Sequence, residues 1–243
     1  MPGKLLKLAN KFHKLAYIQE KGANLPMSFW VKFVQMCQRL GVEPYDLAAV
    51  INKESGFNPA AQNFAAGKDK PPVAQGLTQF IRHTARSLGA SKDTWDNFAI
   101  LSAEQQLPWI EKYFQGKASG KNAGQLYLMN FGGFNNPDGS LYASIPVQQA
   151  WIAKHPGDTF QNSAYQQKAI EQNPGLVTNG RIVPGSITRL VSGGPPANIK
   201  QKIDEAINII SQGKADQYQT QQQSTFLDPL LQEADQLQSI LWR

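Results

Sequence analysis

The chain has 243 residues, 41% of them hydrophobic, with a formal net charge of +6 and a pI near 9.3. That is enough for one sizeable core plus a smaller appendage, at a composition ordinary for a soluble globular protein. No stretch approaches the ~18 uninterrupted apolar residues of a membrane-crossing helix, and no Lys/Arg run interleaved with aromatics marks a nucleic-acid surface; neither partner is expected.

In chain order, Lys4 to Gln19 reads as a basic amphipathic helix with Leu5, Leu8, Phe12, Leu15 and Ala16 on one side. A packing or linking role is preferred to a membrane-touching one. Its apolar run is broken by Lys7, Asn10, Lys11 and Lys14, so it lacks the h-region of a secretory signal. Phe29, Phe33, Met36, Cys37 and Leu40 form the stripe of the next helix, which stops at Gly41. Cys37 is the only cysteine; it reads as a buried structural thiol and excludes an intrachain disulfide. Pro44 suits the first turn of a helix that ends at Gly56.

Asn63 to Val73 holds Gly67, Pro71 and Pro72 and is expected to be a loop rimming a cleft. Phe80 to Leu88 reads as helix, with Arg82, His83 and Arg86 outward. Ser102 and Gln105 make a capping box that opens a helix bearing Leu107, Trp109, Ile110, Tyr113 and Phe114. Asn122 to Asn130 is helical, Gly132 to Gly139 is turn-rich, and Pro146 starts a helix containing Trp151. Ala197 to Ser211 is a further helix, and Gln217 to Ser224 is a glutamine-rich linker. Phe226, Leu230, Leu231, Ala234, Leu237, Ile240 and Leu241 line a last amphipathic helix, a docking element. Strand signals are few, so the fold is expected to be mainly α.

Within the helix after Pro44, Leu47, Val50, Ile51 and Glu54 fall at i, i+3, i+4 and i+7, one face. Three are apolar; the fourth is a carboxylate. A carboxyl group at the helix C-terminus, beside apolar neighbours, is disfavoured as an anion and gains pKa. An acid kept protonated near neutral pH is what donation to a glycosidic oxygen requires. Taken alone, the helix pattern favours the plainer reading, a last-turn glutamate turned out to solvent.

The downstream residues shift that balance. Glu54-Ser55-Gly56-Phe57-Asn58-Pro59-Ala60 is followed by Gly76-Leu77-Thr78-Gln79-Phe80 and then Thr84-Ala85. Over Ile51 to Leu88 this order resembles the Slt-type lytic transglycosylases, a goose-lysozyme-like family, with its E-S-x-F-N-P-x-A and G-L-M-Q blocks. The resemblance implies a lysozyme-like domain acting on peptidoglycan glycan strands, with Glu54 as sole catalytic acid. It implies substrate contacts from Ser55, Gln75 and Gln79. The family's third block, A-Y-N-A-G, has its nearest counterpart in Tyr127 to Gly133: Asn130 and Gly132 align, and Met129 replaces the tyrosine. Tyr127 and Asn130 are the substrate-binding candidates there, and comparably loose versions occur in phage-borne relatives. Around Asn179 a segment is similar to a calcium loop of some phage lysozyme-like proteins, but its acidic ligands are gone, so no metal and no cofactor are expected.

Three units are expected: 1–27, an N-terminal basic helix; 28–195, a lysozyme-like catalytic domain; and 196–243, C-terminal helices with the glutamine-rich linker. The resemblance, with the missing signal, implies a virion-associated protein acting on the host wall and meeting other virion or tail proteins through its C-terminal helix. Hydrolysis or endopeptidase chemistry on the same scaffold, and a non-enzymatic wall-binding module, are the alternatives. His13, His83 and His155 lack carboxylates at metal-ligand spacing, which disfavours a zinc peptidase. Asp69, Asp93 and Asp96 are the nearest following acids for a two-carboxylate glycosidase, but none sits in a recognisable block.

Overall fold

A computed structural model describes residues 21–64, 71–132, 177–178, 181–182 and 184–218. The expected helices over 4–19, around Trp151 and from Phe226, the His13, His155, Asp69 and Asn179 positions, and the linker beyond 218 lie outside the described residues.

The hub is α1, Met27–Leu40. It buries Ser28, Phe29, Trp30, Val31, Phe33, Val34, Met36, Cys37 and Leu40, so it is apolar on most sides. A helix of that kind has to be wrapped by other elements. It ends at Gly41, in the left-handed region at φ 67°. The Gly41 N–H donates to Gln38 O and the Val42 N–H to Cys37 O, at 3.1 and 3.0 Å, a paired C-terminal cap that satisfies two otherwise orphan carbonyls. Cys37 is buried with a free thiol, and burial pushes its pKa up, as expected of a structural cysteine.

The second helix, α2 (Pro44–Ser55), has Pro44 at its start and Gly56 as its left-handed cap at φ 60°. Beyond it a small antiparallel sheet forms from β1 (Gln62–Asn63), β2 (Ala74–Gln75) and β3 (Phe80–Ile81). Its rows are Gln62↔Gln75↔Phe80 and Asn63↔Ala74↔Ile81. Two short helices follow, α3 (Arg82–Ser87) and α4 (Lys92–Asp96). Arg82, His83 and Arg86 are exposed. The expected helix over Phe80 to Leu88 is corrected: Phe80 and Ile81 pair with β2, and the helix starts at Arg82.

Next, α5 (Ala103–Phe114) opens with the Ser102/Gln105 capping box, both reciprocal bonds being present at 3.1 and 2.8 Å. The run from α6 (Ala123–Gly132) is succeeded by strands β4 (Val177–Thr178) and β5 (Arg181–Ile182), which pair antiparallel, and by α7 (Pro184–Thr188). Last among the described elements is α8 (Ala197–Ser211). It packs against α1 and buries Ile199, Ile203 and Ala206 in the same core. Its apolar stripe is part of what covers α1.

One side chain ties these elements together. Gln106 of α5 is 1% exposed. Its Oε1 accepts from Leu77 N–H at 2.8 Å, and its Nε2 donates to Pro59 O at 2.9 Å and Leu101 O at 3.1 Å. It bridges the chain leaving α2 to the β2–β3 turn. Gly76 in that turn has φ 82°, and a Cβ there would stand 2.5 Å from Gln106 Oε1 and 2.7 Å from the Phe98 ring, so only glycine fits. Replacing Gln106 with leucine keeps the volume but strands buried backbone donors and acceptors. We expect Gln106→Leu to lower unfolding free energy by about 2–4 kcal/mol. Urea denaturation checks this; an unchanged midpoint would mean that the tie is dispensable.

Candidate functional site

Glu54 occupies the penultimate position of α2, and the residues just after it hold it in place. Gly56 and Phe57 are both left-handed, at φ 60° and 57°. A non-glycine residue there costs about 1–2 kcal/mol. Phe57 is fully buried, its ring centroid 5.0 Å from Trp30, 6.1 Å from Phe33 and 6.2 Å from Phe29, all on α1. Burying a phenylalanine side chain returns roughly 1.5–3 kcal/mol, which offsets the strain. Asn58 then turns the chain, its Oδ1 accepting from Ala60 N–H at 3.0 Å.

Ser55 sends its hydroxyl proton to Leu77 O at 2.8 Å and Ile51 O at 3.2 Å, tying the end of α2 to the β2–β3 turn. In that turn Gln79 is held at φ 50°, its Nε2 donating to Gly76 O at 2.9 Å and Ala61 O at 3.2 Å. The donors of both residues are spent on the framework, which leaves their oxygens as the atoms that can meet a ligand. Gln75 is 1% exposed, its Oε1 accepting from Gln62 and its Nε2 donating to Trp95 O, each at 2.9 Å. Both ends of that amide serve the framework.

Across from α2, the end of α6 brings Asn130 to Glu54. Asn130 Nδ2 donates to Glu54 Oε1 at 2.9 Å and to Thr78 O at 3.1 Å. One amide group thus joins all three motif segments, from a position 76 residues beyond the acid. The Glu54 carboxyl is half-buried and its pKa is pushed up to about 7. Burial is the principal cause; the Asn130 bond and the Lys53 charge pull the other way. Among the described residues no carboxylate contributes to that shift. Asp93 and Asp96 lie on α4, and Asp96 is engaged with Lys92 and, at 3.7 Å, with Arg82.

Two phenols complete the surroundings. Tyr127, 4% exposed, is held well above its usual pKa by burial and by the charge of Glu54. Tyr113 is pushed up to about 12 by the same two causes and donates its hydroxyl to Met129 O at 2.7 Å. In sequence, Tyr113 reads only as part of a helix stripe; nothing local distinguishes it from a core aromatic. Of the expected site residues, Glu54, Tyr127 and Asn130 converge, Ser55 supports from the end of α2 and Gln79 from the turn, and Gln75 stands behind it. No group of three or more His, Cys, Asp or Glu is gathered among the described residues.

The family model of the transglycosylase SLT domain matches residues 33–102. That span contains α2, Glu54 and the three-stranded sheet, and the fold is mainly α and lysozyme-like. No curated protein and no solved structure gives a significant match. The matched domain is one of lytic-transglycosylase-type peptidoglycan cleavage.

A carboxyl raised in the folded state binds a proton that the unfolded chain has already released. Between the ordinary glutamate value and about 7, the unfolded state therefore holds fewer protons, and stability falls as pH rises. Above that window the buried anion costs up to about 3 kcal/mol, less for the group's residual exposure. We expect Glu54→Gln to raise the melting temperature at pH 8 and to leave it nearly unchanged at pH 4. Equal shifts at both pH values in thermal unfolding would show that Glu54 is not destabilised as an anion.

Proposed function

We propose that the protein is a lytic transglycosylase that cleaves the β-1,4 bond between N-acetylmuramic acid and N-acetylglucosamine in peptidoglycan, with Glu54 as its single acid and base. The observation that carries this reading is a half-buried carboxyl poised near pH 7, oriented by Asn130, inside the segment that matches the SLT domain. An acid with that pKa is protonated in a large fraction of molecules at neutral pH yet releases its proton readily.

The chemistry requires one carboxyl to act twice. Protonated Glu54 donates to the glycosidic oxygen as the C1–O4 bond breaks, and the N-acetylglucosamine leaves as a neutral alcohol. The N-acetyl carbonyl oxygen of the muramic residue closes on C1 and carries the positive charge. Glu54, now an anion, takes the proton from the C6 hydroxyl. O6 then attacks C1 and displaces the acetamido oxygen, giving a 1,6-anhydro ring and a reprotonated Glu54. No water is consumed. The Asn130 amide stabilises the anionic half of this cycle by its hydrogen bond to Oε1, while burial stabilises the protonated half. The two opposing effects leave Glu54 between its states, as an acid that must become a base requires.

We further propose a setting in a phage virion, where the enzyme would open the wall locally. This rests on the resemblance alone: the third motif is loosened, with Met129 in place of the tyrosine, and comparably loose versions occur in some phage-borne members of the family it resembles. Proteomics of purified virions tests it; the chain's absence from the particle would remove it.

Muropeptides released from purified peptidoglycan should carry anhydro ends by mass spectrometry. Reducing ends would instead identify a hydrolase, and free amines a peptidase. Glu54→Gln should cut turbidity loss about a hundredfold or more, general acid catalysis being worth that much, while leaving the fold intact. Activity of the wild type should decline with rising pH above about 7 as Glu54 ionises. Full activity at pH 9 would contradict a protonated donor.

A further inference from the structure

Tyr113 lies in the last turn of α5. Its ring is packed by Phe114 and Phe80, with centroids at 4.9 and 5.3 Å, and Lys117 Nζ sits 3.8 Å from its centroid. A phenylalanine would make the same ring contacts. What the tyrosine adds is one hydroxyl, and that hydroxyl donates at 2.7 Å to Met129 O.

Met129 is among the last four residues of α6. Its carbonyl accepts from Tyr113, on a different helix, at the residue immediately before Asn130. From Asn130 a single amide nitrogen reaches both Glu54 Oε1 and Thr78 O, at 2.9 and 3.1 Å. Both of its N–H bonds are therefore used, and both acceptors sit on other elements. A displacement of a few tenths of an ångström at the end of α6 would lengthen the two bonds together.

We propose that Tyr113 is a positioning residue for the acid: its hydroxyl pins the Met129 carbonyl and so holds the Asn130 amide against Glu54. Tyr113 itself touches no reacting atom. The inference rests on Glu54 being the acid of the proposed reaction.

The test uses the full chain and follows the Glu54 carboxyl by carbon NMR titration, its resonance assigned with Glu54→Gln. Tyr113→Phe should keep the cooperative thermal transition, raise the Glu54 midpoint by about half a pH unit through loss of the hydrogen bond to the anion, and carry the alkaline limb of glycan cleavage with it. The kcat should fall about tenfold with KM little changed, as for a group that acts on chemistry rather than on binding. Asn130→Ala should raise the midpoint at least as far, and adding Tyr113→Phe to it should change nothing more, since the two act through one route. Tyr45→Phe serves as control: it removes a hydroxyl bonded to Asp204 at the α2–α8 contact and should leave the titration alone.

An unmoved Glu54 midpoint in Tyr113→Phe, full additivity with Asn130→Ala, or unfolding of Tyr113→Phe would each overturn the proposal and leave the hydroxyl a purely structural group. If wild-type protein cleaves no glycan, the proposed function fails, and the titration still decides whether Tyr113 positions Asn130.

Discussion

The burial of Phe57 against α1 is the contact on which the site depends. Its ring sits among Phe29, Trp30 and Phe33, and the backbone beneath it is left-handed, three residues after Glu54. With the ring packed there, the end of α2 is held against the hub helix. Glu54 is thereby stationed at a set height above the core instead of fraying into solvent, where its pKa would relax to that of an ordinary glutamate. The Asn58 turn and the Ser55 bond to Leu77 O then carry the chain from this anchor into the small sheet.

Two helices each place one polar side chain on an otherwise apolar stripe, with opposite consequences. Gln106 of α5 is fully satisfied by backbone groups from three segments, so it rigidifies the turn beneath the site. Glu54 of α2 is bonded at Oε1 by one amide and is otherwise surrounded by burial, so it stays close to neutrality. A satisfied buried amide stabilises; a half-buried carboxyl with a single amide bond is held ready to exchange a proton. The same framework that gains from the first carries the second, which is how a stable fold tolerates a destabilised acid.

Among the described residues, the surroundings of Glu54 are set by burial and by neutral or cationic neighbours. The Glu54 shift arises from burial, with no carboxylate among the described residues contributing, and Asp96 is taken up by Lys92 and Arg82. The phenols of Tyr113 and Tyr127 add polarity without adding charge, since burial and the carboxyl itself keep both protonated.

Much of this was determined by the sequence alone because it is local. Gly41 and Gly56 end their helices where a left-handed residue is needed, Pro44 starts α2, Ser102 and Gln105 cap α5, and Ala197 to Ser211 forms α8 as its pattern implies. Glu54 was legible as a carboxylate on an apolar stripe, whereas the role of Gln106 shows only in its bonds to Leu77, Pro59 and Leu101. Only the tertiary structure decided the rest. The strand at Phe80 and Ile81 exists because β2 lies alongside it, and two residues give no periodicity to detect. The docking of α8 on α1 depends on where two stripes from opposite ends of the described chain meet. Asn130 reaches Glu54, and Tyr113 reaches Met129, across separate helices whose relative placement is set by packing, and no spacing within either helix encodes it. Helix ends are set by the chemistry of neighbouring residues, whereas the proton affinity of the acid is set by which distant groups the folded core brings against it.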